Sequence, residues 1–332
     1  MDNFDDIDFD ISFRRDSLSI KTEKRELFKL SVLAGAALCL YVILQNMTVL
    51  LLEIIGLYNF YLSDYLFQNA VGLLISVVSI LLPFLAFTGK QKKIQPDTEL
   101  FPAGKPQEPI LVVLAIPVGL ALCIIGSYAS SYLQAIIESV GFTLSSPDLT
   151  IPKDSFGTVI YFFRVTVVAA IVEEMVMRGI VLQSLRKYGS WFAIFMSSMV
   201  FGLMHCNLVQ APFAFFAGFA LGYFAIATES LWTPILIHFA NNLFSTLMSL
   251  AVNSLDDTAA LALYNLTIIF IFVSAIICSL LFLIRRKTYA LPRIPQILKK
   301  RERLAAYIFS PTMILAIICM LYVTSNFVKW GH

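Results

Sequence analysis

Residues 158–185, TVIYFFRVTVVAAIVEEMVMRGIVLQSL, decide how this chain reads. The stretch is long and apolar enough to cross a bilayer as a helix, which takes about 20 residues. It nevertheless carries Arg164, Glu173, Glu174 and Arg178. A charge at membrane depth costs about 2.5–3.5 kcal/mol on insertion scales, so each one needs a partner or a purpose. Glu174 and Arg178 are four residues apart and share a helix face, so the guanidinium is expected to neutralise that carboxylate. Glu173 is turned about 100° away and is free to face something else. Arg164 lies near the outer end of the stretch, where a long cationic side chain snorkels toward water, and it is given no role.

The rest of the chain has the same character. Of 332 residues, 58% are hydrophobic and 14% charged, against about 25% charged in soluble domains. So few charges cannot cover a soluble surface. That excludes an ordinary cytosolic enzyme, a disordered chain and a nucleic-acid binder. Nine apolar runs qualify as spans: 30–55, 70–88, 110–137, 158–185, 191–205, 212–228, 231–251, 260–284 and 305–327. The fifth and sixth are short enough to be tilted, broken or re-entrant, and seven or eight spans plus a re-entrant hairpin is the alternative. The expected class is therefore all-α, a polytopic transmembrane helical bundle.

Lys and Arg support the count. They crowd the N-terminal tail (Arg14, Arg15, Lys21, Lys24, Arg25, Lys29), the second loop (Lys90, Lys92, Lys93, Lys105), the fourth (Arg186, Lys187) and the eighth (Arg285, Arg286, Lys287, Arg293, Lys299, Lys300, Arg301, Arg303). The odd-numbered loops and the C-terminal tail hold only Lys153 and Lys329. Basic loops stay in the cytoplasm, so this alternation predicts an integral multi-pass protein with a cytoplasmic N-terminus. The expected organisation is a disordered cytoplasmic tail (1–29), N-terminal membrane helices (30–157), a core carrying the polar groups (158–252) and C-terminal membrane helices with a basic loop (253–332). The tail would lie against anionic lipid. The five cysteines are scattered through apolar runs and show neither disulfide nor zinc spacing.

The other intramembrane polar groups gather near the charged span. His205 ends the fifth run, and the seventh carries His238, Asn241 and Asn242. At 1.5 Å per residue, Glu173 and His205 lie roughly 20 and 22 Å from the basic side, and His238 and Asn242 roughly 10 and 16 Å. These depths overlap once tilt is allowed, which suggests one shared polar site among spans four, five and seven. His238 and Asn242 are i,i+4 and project from one face, as are Phe201 and His205, where the ring is placed to pack beneath the imidazole.

Two chemistries fit a carboxylate, two imidazoles and an amide. In one, Glu173 takes a proton from water, His205 orients that water, and His238 and Asn242 donate hydrogen bonds to the oxyanion at a scissile carbonyl. In the other, Glu173, His205 and His238 hold a zinc ion with an open position for water. The sequence has no His-Glu-x-x-His, Gly-x-Gly-Asp or Gly-x-Ser-x-Gly signature and no phosphate-binding loop.

Glu173-Glu174-Met175-Val176-Met177-Arg178-Gly179 resembles the EExxxR motif of the CPBP intramembrane endopeptidases. Phe201 to His205 resembles that family's FxxxH motif and His238 to Asn242 its HxxxN motif, all within residues 158–252. The family includes type II CAAX prenyl endopeptidases and bacterial proteins of bacteriocin processing or immunity. The resemblance implies that Glu173 and His205 activate water, that His238 and Asn242 stabilise the oxyanion, and that Glu174 and Arg178 support them. It favours a metal-independent glutamate mechanism over zinc. It further implies membrane-associated peptide substrates and, from the bacterial branch, peptide maturation or immunity in a bacterial cell membrane. Glu229 departs from the pattern, since relatives have Gly in the corresponding Thr-Gly-Ser turn. The flanking spans show no readable motif. A non-catalytic immunity or partner-binding protein and a proton-relaying transporter are the competing readings, and nothing in the sequence speaks to oligomeric state.

Overall fold

A computed structural model describes residues 4–102, 108–147, 151–152, 154–288 and 290–331, with side chains from Leu18 onward. Lys105, Lys153 and His332 lie outside the described residues. The described chain is helical apart from loops and one two-stranded ribbon. In chain order it forms α1 (Phe4–Ile54), α2 (Tyr58–Ser63), α3 (Tyr65–Ile94), α4 (Pro109–Ser139), β1 (Phe142–Leu144), α5 (Ser155–Arg186), α6 (Ser190–Met204), α7 (Ala211–Ala227), α8 (Trp232–Ser254), α9 (Asp257–Arg286), α10 (Lys300–Ile308), α11 (Pro311–Ser325) and β2 (Val328–Trp330).

All nine apolar runs are helical, but they are not equal. Six helices (α1, α3, α4, α5, α8 and α9) are long and apolar enough to cross a membrane, and α10 with α11 makes a further pair bent by 69°. The expected fifth and sixth spans, α6 and α7, have 15 and 17 residues, or about 22 and 26 Å. They form an antiparallel hairpin. Both of its open ends lie beside Arg186, because Gly189 follows that residue closely and Glu229 pairs with it at 3.1 Å. The hairpin tip carries His205.

Helix α1 runs without a break from Phe4 through the first span. No proline or glycine interrupts it before Gly35. Its inner face is also used well before residue 30, since Leu27 is fully buried and Glu23 nearly so.

Local chemistry sets the remaining boundaries. Asp154 caps α5 by accepting from the Gly157 N–H at 2.6 Å, and Asp256 caps α9 from Thr258 and Ala259. Each satisfies a donor that the first turn leaves orphaned. Gly189, at φ +113°, makes the sharp break between α5 and α6. One core cluster extends from Leu27 to Met320 and draws on helices from both flanks as well as the centre.

The loops sort to two ends. Gln95, Glu26, Lys187, Tyr188 and Arg303, from the N-terminal tail and the second, fourth and eighth loops, meet at one end. There Lys187 pairs with Glu26 at 2.8 Å and Arg303 donates to the Tyr188 carbonyl. At the other end β1 pairs antiparallel with β2, joining the loop after α4 to the C-terminal strand, with Phe142 edge-on to Trp330. The N-terminal stretch and the C-terminal strand therefore lie at opposite ends of the bundle.

Candidate active site

Helix α5 is irregular where its charges lie. It alternates between α and π geometry, with π segments at Phe163–Val168 and Met175–Val181 on either side of the regular turn Ala169–Glu174. Single π turns are uncommon and concentrate at functional sites. Sequence periodicity does not reveal them. They change which residues of α5 face α8, and both contain groups that the site uses.

The two carboxylates have different surroundings. Glu174 is fully buried and its Oε1 receives Nη1 of Arg178 at 2.9 Å. Arg178 is also fully buried. Its Nη2 donates to the Gly218 carbonyl of α7 at 3.2 Å, and its guanidinium lies over the Phe201 ring at 4.7 Å. An ion pair this deep, with further hydrogen bonds and an aromatic face, is fixed in place. Gly218 permits it, because a Cβ there would lie 3.0 Å from Ser198 of α6. Glu173 keeps 20% of its side-chain surface exposed. The neutralised carboxylate and the open one are the two that the sequence separates by spacing.

His238 bridges them. Its Nδ1 lies 2.8 Å from Oε1 of Glu174 and its Nε2 lies 3.9 Å from Oε2 of Glu173. Oε1 of Glu174 is a carboxylate oxygen and accepts, so Nδ1 is the donor in this bond. The Nε2–Glu173 gap is longer than a hydrogen bond and suits one bridging oxygen.

Asn242 lies one turn beyond His238 on α8. It donates to the Val165 carbonyl, inside the first π segment, at 2.9 Å, and its Oδ1 accepts from Asn241. This leaves the amide one further N–H.

His205 is the C-cap of α6. Its Nδ1 lies 2.9 Å from the Phe201 carbonyl, and its ring meets Phe201 edge-on at 5.0 Å. The Phe201 ring also lies 6.0 Å from the His238 ring. Phe201 is thus a shared wall for Arg178, His205 and His238. The next residue, Cys206, adopts φ +51°, and buried Asn207 pins the turn by donating to the His205 carbonyl.

Glu173, Glu174, Arg178 and His238 are therefore in direct contact or nearly so. His205 joins through Phe201, and Asn242 through the α5 backbone. Three participants have no sequence signal of their own: the carbonyls of Val165 and Gly218, and Tyr41 of α1, whose hydroxyl reaches the Met204 carbonyl at 2.8 Å. A lone tyrosine within an apolar run is the only hint of the last.

The residue types suit zinc but their arrangement does not. Among the described residues no three His, Cys, Asp or Glu side chains converge on a point that could hold a metal ion. Nδ1 of His238 is committed to Glu174 and Nδ1 of His205 to the Phe201 carbonyl, so each ring has only its Nε2 left for other contacts.

Residues 155–244 match the family described as "Type II CAAX prenyl endopeptidase Rce1-like". A Bacillus subtilis (strain 168) protein described as "Putative membrane peptidase YdiL" is 31% identical over 86 residues, covering 26% of this chain and 35% of the relative. The match thus spans about a third of that relative's length. No solved structure matches the chain. The matched segment contains all six candidate side chains, from Glu173 to Asn242, and the residues between them, and it is similar to the Rce1-like type II CAAX prenyl endopeptidase family.

Proposed function

We propose that this protein is an intramembrane endopeptidase that hydrolyses membrane-associated peptides with a glutamate-activated water. The observation that carries the reading is one imidazole held between two neighbouring carboxylates, of which Glu174 is sealed with Arg178 and Glu173 is open. A purely structural polar cluster has no need of the open one.

In this mechanism a water sits between Glu173 and the scissile carbonyl. Glu173 takes one proton as the water oxygen bonds to the carbonyl carbon. The resulting oxyanion is held by the spare N–H of Asn242 and by His238 acting as an imidazolium, with Nδ1–H given to Glu174 and Nε2–H turned to the oxyanion. Collapse of the tetrahedral species breaks the C–N bond, and the proton held by Glu173 passes to the leaving amine. Glu174 fixes the His238 ring through Nδ1, as the carboxylate of a triad does. Arg178 keeps Glu174 in place. His205 lines the water's side of the site. No step is routed through a metal, because the donors do not converge. The basic end faces the cytoplasm by the distribution of Lys and Arg.

The test is processing of a panel of membrane-anchored peptides, prenylated tails and leader-bearing sequences included, by detergent-purified protein. Wild type is expected to cleave at least one peptide, Glu173→Gln to lose cleavage by about 10³-fold or more while keeping its melting temperature, and metal chelation to leave the rate unchanged. Equal behaviour of wild type and Glu173→Gln would sink the catalytic reading and favour a binding protein.

A further inference from the structure

Helix α1 lies outside the family-matched segment, yet one of its side chains reaches the site. Tyr41 sits in the middle of the first apolar run and is 6% exposed. A phenol buried in a membrane helix must find a partner for its O–H. That partner is the carbonyl of Met204, at 2.8 Å.

The choice of acceptor is informative. A helix leaves its last carbonyls without intrahelical donors. At the end of α6 the donors can be named one by one. The Phe201 carbonyl faces Nδ1 of His205, and the Gly202 carbonyl accepts from the His205 N–H. The Leu203 carbonyl accepts from the Cys206 N–H, and the His205 carbonyl from Asn207. The Met204 carbonyl remains, and among the described contacts its donor is Tyr41. The terminus that presents His205 is therefore closed by a side chain from another span. The phenol thus touches the backbone directly beside His205.

We propose that Tyr41 is a positioning residue of this site, its hydroxyl fixing the α6 C-terminus so that the His205 imidazole keeps its place against Phe201. The site is then incomplete within residues 155–244, and α1 supplies the missing constraint. The inference rests on the endopeptidase reading for its kinetic consequence but not for its structural one.

Two measurements on full-length protein test it. Tyr41→Phe removes one oxygen and keeps the ring. With a peptide that wild type cleaves, kcat is expected to fall at least tenfold while KM stays within twofold, and Tyr307→Phe, a buried tyrosine away from the site, leaves both unchanged. The double variant Tyr41→Phe/His205→Ala is expected to be no slower than His205→Ala alone, because one residue acts through the other. The second measurement needs no substrate. The chain has three histidines, so ¹³C-histidine labelling yields three ring signals, assigned by His205→Gln and His238→Gln. Tyr41→Phe is expected to shift the His205 signal and leave that of His332 in place. Unchanged kcat, or an unmoved His205 signal, overturns the proposal. If wild type cleaves no peptide, the endopeptidase reading fails by itself, and the histidine spectrum still decides whether Tyr41 positions His205.

Discussion

Two adjacent glutamates in this protein have opposite physical fates, and the difference predicts their mutants. Glu174 and Arg178 are fully buried and bonded to each other, to His238 and to the Gly218 carbonyl. Removing one member of a buried pair strands the other charge and costs about 3–5 kcal/mol. Arg178→Met is therefore expected to lower stability by that amount, read by thermal or denaturant unfolding in detergent. Glu173 forms no bond of hydrogen-bonding length among the described contacts and keeps a share of solvent exposure. Glu173→Gln is expected to unfold at the wild-type temperature. If Arg178→Met were as stable as wild type, the assignment of structural and reactive roles would be reversed. Much of this was legible beforehand. The four-residue spacing gave the Glu174–Arg178 pair, and the 100° turn released Glu173. The bridging by His238 was not legible, because it depends on how α8 is rotated against α5.

At the scale of elements, close helix approaches and one strained turn make further predictions. Gly35 of α1 lies against the backbone of Thr312 and Met313 in α11, so a Cβ would overlap the Met313 amide nitrogen. Backbone cannot yield as a side-chain tip does. Gly35→Val is expected to separate α1 from α11 and lower the melting temperature clearly, whereas Gly89→Ala, with open space around it, is expected to change little. Glu229, in the turn between α7 and α8, holds φ +50°. That is the left-handed region, which costs a non-glycine residue about 1–2 kcal/mol and which glycine adopts freely. Its ion pair with Arg186 is largely exposed and returns about 0–1 kcal/mol. Glu229→Gly is expected to keep or raise the melting temperature; a fall would show that Glu229 contributes more than its backbone strain costs. The helical segments themselves were readable from apolar run length. The π segments of α5 were not, since apolar spacing carries no mark of them.

For the whole molecule, the ribbon of β1 and β2 stands at one end and the gathered basic loops at the other. An odd number of crossings is the topology that this arrangement predicts. Single cysteines placed at Arg301 and at Lys329, both exposed, in a cysteine-free background are expected to react with an impermeant thiol reagent from opposite sides of the membrane. Labelling from the same side would overturn the topology. The hairpin α6–α7 keeps its open ends at the basic end and carries His205 inward at its tip, so the site is reached by helices too short to cross comfortably by themselves.

By itself the sequence determined the solvent and the chemistry of this protein. Apolar run length and sparse charge require a membrane bundle, because the backbone must satisfy its own hydrogen bonds in lipid. Charges that cost kcal/mol at depth point to Glu173, Glu174, Arg178, His205 and His238, because no such residue persists there without a reason. Only the tertiary structure decided which of these groups meet. It set the Nδ1 and Nε2 partners of His238, gave Asn242 the Val165 carbonyl, kept the zinc-type donors from converging, and brought Tyr41 from a distant span to the end of α6. Those outcomes depend on helix rotation, π turns and the direction of orphan carbonyls. They are properties of pairs of helices, and no single helix encodes them.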